Sequence, residues 1–246
     1  MRHIVRPTVF DAWPVVATAM SLRATDQGDL GFNMSLAVGD RREQVEANRA
    51  SLARWLAFDP DALLVQRQVH RCGIVRVHRG DHPTEADAQF TTQAGLLLGI
   101  SIADCVPVLL YEPTSGIVGG IHAGWRGTVN GVVSKSLAYL IEDAGLDVSG
   151  VRCYVGASAG PCCYEVGEDV AGLFTDKRRR AIGGGKYLVD NRGSVVDQLL
   201  LGGVLAENIE INHDCSICDV SYHSHRRSNG AGGRALAVIG LRWSGS

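Results

Sequence analysis

The sequence predicts an α+β fold built around mixed β-sheet, and three observations lead to it. Apolar runs of strand length recur along the chain, and helical periodicity separates only some of them. Several runs follow one another as hairpins, which argues against a purely parallel, doubly wound sheet. No repeat, low-complexity tract or clear linker interrupts the pattern, although 246 residues admit one large domain or two small ones.

The elements can be justified in chain order. Residues 40–56 open with a capping pair, Asp40 and Glu43. Val45, Leu52, Trp55 and Leu56 then recur at helical spacing, so a helix is expected. Residues 62–70, ALLVQRQVH, begin apolar and end in alternation, a strand running into a loop. Residues 95–101 and 106–111 are short buried strands separated by IADC. Pro107 suits the start of the second strand or a bulge, where no ladder donor is needed. Residues 117–121 form a third strand, turned back on the second by residues 112–116. Val129, Val132, Val133, Leu137, Leu140 and Ile141 then mark one face of a helix that begins near Thr128 and stops near Gly145. Residues 151–156 are a strand, 194–209 a helix weakened by Gly202 and Gly203, and 235–241 a closing strand.

Composition excludes several function classes. Hydrophobic residues make up 46% of the chain and charged residues 20%, with a formal net charge of −2. That balance leaves no electrostatic footprint for nucleic acid or an anionic membrane, so neither partner is expected. The one dense basic run, Lys177 to Arg180, stands near three glycines and reads as a solvated loop. No apolar stretch reaches the ~18 residues of a membrane span. The opening MRHIVRPTVF lacks the apolar run of a secretory signal. Seven cysteines, an odd number in a chain this long, do not suggest a disulfide framework. A cytoplasmic protein with reduced thiols is expected, and a monomer, because no helix carries apolar surface beyond what a core requires.

The densest chemistry lies in GGIHAGWRGTV, residues 119–129. A strand meets a helix there, so His122 to Arg126 would sit over a helix N-terminus, where free N–H groups and the macrodipole favour anions. Arg126 adds a forked donor suited to phosphate or carboxylate. Gly124 and Gly127 permit positive φ and close approach of the backbone to a ligand. His122 offers an imidazole as metal ligand or base. Cys105, beside Asp104, and His70, at a strand end, each read alone as structural. Together His70, Cys105 and His122 make a three-ligand set with a fourth position open, as in catalytic zinc sites. Their separations of 35 and 17 residues match no local metal motif, so spacing leaves open whether they meet.

A second cluster imitates a metal site. HDCSICDVSYHSHRR brings His213, Cys215, Cys218, His223 and His225 together in sequence. Its Cys-x₂-Cys stands too close to the histidines for a zinc finger, and a redox CxxC normally opens a helix. The favoured reading is that residues 222–227 lend polar side chains to a cleft, with a structural metal site as the lesser alternative.

These segments together resemble the YfiH family, also called laccase-domain or DUF152 proteins. The resemblance rests on QVH (68–70), ADC (103–105), HAGWRG (122–127), GPCCYEVG (160–167), KYLVD (186–190) and SHRR (224–227). It runs from about Ser21 to the C-terminus, and HAGWRG preceded by ADC at this distance is its specific part. It implies a single layered domain, residues 1–246, of mixed sheets flanked by helices. It also implies a metal, zinc with copper as the alternative, held by His70, Cys105 and His122, which would be the catalytic residues too. The implied activity is a purine nucleoside phosphorylase for adenosine, inosine and methylthioadenosine, with adenosine deaminase activity. Its partners would be a small nucleoside and phosphate. Two departures bear on the site: Arg71 replaces the usual Gly after QVH, and Gly156-Ala157 replaces a usual Gly-Pro. The first bears on the rim of the cleft and its charge, the second on a loop nearby.

Phosphorolysis requires an anion site, for which Arg126, Arg23, Arg226 and Arg227 are candidates, with His225 beside them. The alternative that the family also implies, a copper-dependent polyphenol oxidase, is chemically weaker. This chain has eight histidines and one His-x-His, His223-Ser224-His225, so a single copper in place of zinc would have to serve. A cysteine hydrolase, with Cys105 as nucleophile and His122 as base, would use the same residues. Cell-wall precursor editing, linked to a bacterial branch of the family, belongs with that reading.

Overall fold

In the computed structural model, which describes residues 3–24 and 30–243, the apolar runs pair into two stacked mixed sheets. The first runs β1 (Ile4–Val5), β2 (Val16–Ser21), β14 (Ala235–Leu241), β6 (Leu97–Ile102), β3 (Leu63–Val65). The second runs β13 (Ile209–Ile211), β9 (Arg152–Val155), β7 (Val106–Glu112), β8 (Ile117–Ala123), β5 (Ala88–Thr91), β4 (Ile74–Arg76). Neighbours are antiparallel except β3–β6, β4–β5 and β9–β13. A third, small sheet of β10 (Glu165–Gly167), β12 (Lys186–Val189) and β11 (Arg179–Gly183) lies beside them.

Alternation along the strands builds the layers. On β14, Ala237 and Ile239 join Ile100, Leu109 and Tyr154 between the two sheets, while Leu236 and Val238 face the other way. There α1 (Arg42–Trp55) covers the first sheet with Leu52 and Ala53. On the far side of the second sheet, α3 (Val132–Ala144) and α5 (Asn191–Leu201) pack Val133, Leu137 and Leu199 onto Val108 and Leu110. The result is the α+β fold expected, with helices on the outer faces of both large sheets. Each fully buried Leu contributes about 1.5–3 kcal/mol of transfer free energy. The short α2 (Trp125–Val129) and α4 (Glu168–Ala171) attach the small sheet through Trp125, Val166 and Phe174.

Several local expectations need correction. Asp40 does not cap α1. Its carboxylate accepts instead from the Arg41 amide at 2.8 Å and the Asn33 side chain at 2.9 Å, and the helix starts at Arg42. The helix expected from Thr128 begins three residues earlier, at Trp125, and breaks at Gly131, whose φ of 76° only glycine adopts easily. Ile141 faces solvent rather than the core. The helix placed at 194–209 runs from Asn191, capped by the Asp190 carboxylate on the Gly193 amide, and stops at Gly202. The basic run enters β11, and Arg178 pairs with Asp190 and Asp197 at 2.8 and 2.7 Å. Among the described residues no helix is long and apolar enough to cross a membrane.

Candidate metal centre and its clefts

The β7–β8 hairpin sets the centre. Its register pairs Val106 with Ala123 and Pro107 with His122, so Cys105, one residue before β7, lies beside the end of β8. The 17-residue separation is thus the length of a hairpin. His70 arrives from the loop after β3 with φ of 57°, and its ring lies 4.8 Å from that of His122. The Cys105 Sγ–His70 Nδ1 distance is 4.0 Å, and all three donor atoms lie within 4.8 Å of one another.

One buried carboxylate organises this set. Asp87 precedes β5 and faces His122 in the register of β5 on β8; its carbonyl accepts from the His122 amide at 2.7 Å. The side chain accepts from His122 Nδ1 at 2.8 Å and from the amides of His70 and Arg71 at 3.0 and 2.7 Å. Burial opposes its charge, but the His122 bond and the two amides outweigh it and hold Asp87 below the usual carboxylate range. With Nδ1 engaged, His122 keeps Nε2 for an ion, the arrangement by which a carboxylate orients a ligating imidazole.

Electrostatics support the donor chemistry. Burial works to raise the Cys105 thiol, yet the imidazoles of His122 and His70 bring it down to about 6. Burial works to lower His122, yet the Cys105 sulfur and Asp87 push it up to about 9. A thiolate therefore faces an imidazolium, and a cation fits where that proton sits. The glycine of the motif serves space rather than positive φ. Gly124 has φ of −67°, but a Cβ there would lie 2.7 Å from His70 Nδ1 and 3.1 Å from Cys105 Sγ. Likewise a Cβ on Gly127 would meet the Arg71 carbonyl at 2.9 Å.

Two clefts meet at the centre. One, of about 330 Å³, is lined by His70 and Cys105 together with Trp125, Tyr164, Arg126 and Arg226. The other, of about 580 Å³, adds His122, Gln66 and Gln68. Arg234 reaches both. The Arg126 guanidinium lies 4.3 Å over the Trp125 ring, and Arg226 lies 5.5 Å over Tyr164. Burial first, then the charge of Cys105, raises the Tyr164 hydroxyl to about 12, so it remains a neutral donor. Asn191 also lines the first cleft. Its Nδ2 donates to the Ala123 carbonyl at 3.0 Å, while its buried Oδ1 has no hydrogen-bond partner among the described residues.

Placement separates the arginines nominated by sequence. Arg126 and Arg226 line the first cleft, and so does His225. Arg23 lines neither. Arg227 spends its guanidinium on the carbonyls of Ser216, Ile217, Asp219 and Tyr222, holding a loop together. The helix that follows the motif, α2, is a single short turn that starts at Trp125, and its Thr128 amide closes the first intrahelical bond on the Gly124 carbonyl at 2.9 Å. Three contributors escaped the sequence reading: Asp87, Asn191 and Arg234, whose guanidinium meets His225 Nδ1 at 2.9 Å. Asp87 would have emerged had AQFT been recognised as a strand. The departures fall outside the donors: Arg71 contributes its amide to Asp87, and Ala157 is buried between the sheets.

Comparison with known proteins agrees with this architecture. Residues 23–242 match the family described as multi-copper polyphenol oxidoreductase laccase. The purine nucleoside phosphorylase YlmD of Geobacillus stearothermophilus is 35% identical over 229 residues, covering 86% of this chain and 84% of that one. The adenosine deaminase RL5, from an unknown prokaryotic organism, is 32% identical over 227 residues, covering 85% of this chain and 86% of that one. The crystal structure of the Bacillus licheniformis hypothetical protein YfiH superposes with a TM-score of 0.93 at 27% identity, covering 98% of this chain and 97% of that one.

Proposed function

The chain belongs to the laccase-domain family, described as multi-copper polyphenol oxidoreductase laccase, and from that premise we propose that it is a purine nucleoside phosphorylase that also deaminates adenosine. The relatives named for those two activities support the chemistry. The observation that carries it to this site is one cleft that joins His70 and Cys105, two of the three clustered donors with His122 just behind them, to Arg126, Arg226 and Arg234 and an aromatic wall.

His70, Cys105 and His122 would hold zinc, which supplies Lewis acidity with a position left open for substrate. The rest is work for the chain's own side chains. In phosphorolysis a phosphate oxygen bonds to C1′ while the C1′–N9 bond breaks and its electron pair leaves with the purine. Arg126 offers the phosphate a forked guanidinium matched to its oxygens, and Arg226 and Arg234, which already donate to the carbonyls of Glu165, Gly232 and Gly233, add positive charge and their remaining N–H groups. Trp125 and Tyr164 offer flat apolar surface to the nucleoside. Arg234 donates to His225 Nδ1, so the neutral imidazole carries its proton on Nε2 and can give a hydrogen bond to the departing base. The unpartnered Asn191 Oδ1 accepts from a substrate hydroxyl or amine. In deamination water adds at C6 and ammonia leaves, and the same walls orient the ring.

The deciding experiment is chromatography of adenosine incubated with zinc-loaded protein, with and without phosphate. Adenine and ribose-1-phosphate are expected only with phosphate, and inosine without it. No turnover of adenosine, inosine or methylthioadenosine would overturn the reading. The copper alternative draws on the family description. It takes precedence if copper-loaded protein oxidises a phenol while neither metal supports nucleoside turnover. The thiolate–imidazolium pair favours Cys105 hydrolysis only if turnover survives complete metal removal.

A further inference from the structure

Outside that centre the cysteines are distributed unevenly. Cys72 and Cys153 stand apart, while four others converge from two distant loops. Cys162 and Cys163 lie between β9 and β10, and Cys215 and Cys218 follow β13. Their four sulfurs lie within 4.8 Å of one another, with Cys218 Sγ 3.0 Å from Cys163 Sγ and 3.6 Å from Cys162 Sγ. We propose that these four cysteines form a second metal site, a closed tetrathiolate that binds zinc and clamps the wall of the cleft.

The geometry suits the ion. Tetrahedral zinc with Zn–S bonds of ~2.3 Å places its sulfurs about 3.8 Å apart, within the observed spread. Hydrophobic burial does not explain the gathering, because Cys162 and Cys218 are exposed. The loops are joined for the purpose: the Ser216 amide donates to the Ser158 carbonyl at 3.0 Å, and the Gly160 amide donates to Cys215 Sγ at 3.2 Å, a bond that favours a thiolate. A Cβ on Gly160 would lie 3.1 Å from Cys215 Cβ and 3.3 Å from the sulfurs of Cys162 and Cys215, so glycine lets this loop close onto the cluster. Four thiolates this close would repel one another, so the cluster gives up its protons only to a divalent cation that neutralises the sulfurs.

Two of the histidines that stand near Cys215 and Cys218 in sequence take other duties. His223 is buried against the Phe32 carbonyl, and His225 meets Arg234. What the cluster ties down is the cleft. Tyr164 follows Cys163 directly, and Ser216 Oγ donates to Asp104 at 2.6 Å, next to Cys105. The Asp104 carboxylate also accepts from the Arg226 amide at 2.9 Å.

The test is zinc content of the full-length protein, purified with zinc and dialysed against metal-free buffer. Wild type should hold about two zinc per chain, Cys105→Ser and Cys218→Ser about one each, and the double variant almost none. Cobalt-substituted Cys105→Ser keeps the four sulfurs intact and should show the intense visible bands and sulfur-to-metal charge transfer of a tetrathiolate, whether or not Cys218→Ser folds. Metal-free Cys105→Ser, or a cobalt spectrum without charge transfer from four sulfurs, would overturn the proposal. So would a disulfide among the four cysteines that persists in zinc-grown protein. None of these readouts depends on nucleoside turnover, so the failure of one reading can be told from that of the other.

Discussion

The two cysteine-bearing centres are linked by Asp104, which adjoins Cys105 in sequence and accepts from Ser216 beside Cys215, but they are built on different principles. The first stands on strand ends, mixes two imidazoles with one sulfur, has a buried carboxylate behind it and two clefts in front. The second stands on loops and is all sulfur, and none of its four cysteines lines either of those clefts. Three donors, two at the end of a rigid hairpin and one from the loop after β3, leave a fourth position of a tetrahedron open, whereas four donors complete it. Rigid strand pairing thus suits chemistry, and cross-linking suits loops that have little core of their own.

The sharpest way to break this contrast is to remove a donor from the first centre. Cys105→Ala and His122→Ala should each lower kcat/KM for adenosine by about a thousandfold, some 4 kcal/mol of barrier, and leave the sulfur cluster's metal in place. Phosphorolysis and deamination should fall together, and undiminished turnover of either kind would separate the two reactions from this centre.

A smaller effect sharpens the role given to Asp87. Asp87→Asn keeps a hydrogen-bonding side chain but weakens the hold on His122, so metal affinity at the first centre should drop about 10–100-fold. Competition titration with a chromophoric chelator measures it. An affinity equal to wild type would reduce Asp87 to a fold-keeping residue.

The last prediction concerns stability rather than the metal, and falls on His223, on the loop between the sulfur cluster and Arg234. Burial first, and the charges of Arg23, Arg234 and Arg227 with it, push its imidazole down to about 4 against the opposing Phe32 carbonyl. The folded value lies below the unfolded 6.5, so between about 6.5 and 4 the unfolded chain binds a proton that the folded chain refuses. Stability therefore declines as pH falls through that window, by on the order of 2–3 kcal/mol from this group. Urea midpoints at both ends of the window should lose that component in His223→Gln, and an unchanged acid slope would contradict it.

Much of the site was legible because its elements carry local signals. The apolar runs of β7 and β8 predict a hairpin, and the donors Cys105 and His122 sit at its open end. The nominations of Arg126, Arg226 and His225 also lie on the cleft. Asp87 was not legible, since β5 is a four-residue strand buried on both faces and shows no alternation. Arg227 looked like a ligand-binding residue because charge is visible in sequence, whereas the four carbonyls that occupy it are not. The sulfur cluster was half visible as Cys215-x₂-Cys218, but the nearby histidines suggested the wrong companions, since its other half lies more than fifty residues away.

By itself the sequence determined the α+β class, the hairpin, the helical faces and the residue types able to hold a metal, because periodicity and side-chain chemistry are properties of neighbouring residues. Only the tertiary structure decided which donors meet, which carboxylate orients them and which arginines remain available for a substrate. Those depend on strand register and loop convergence, which bring together atoms that the chain itself keeps far apart.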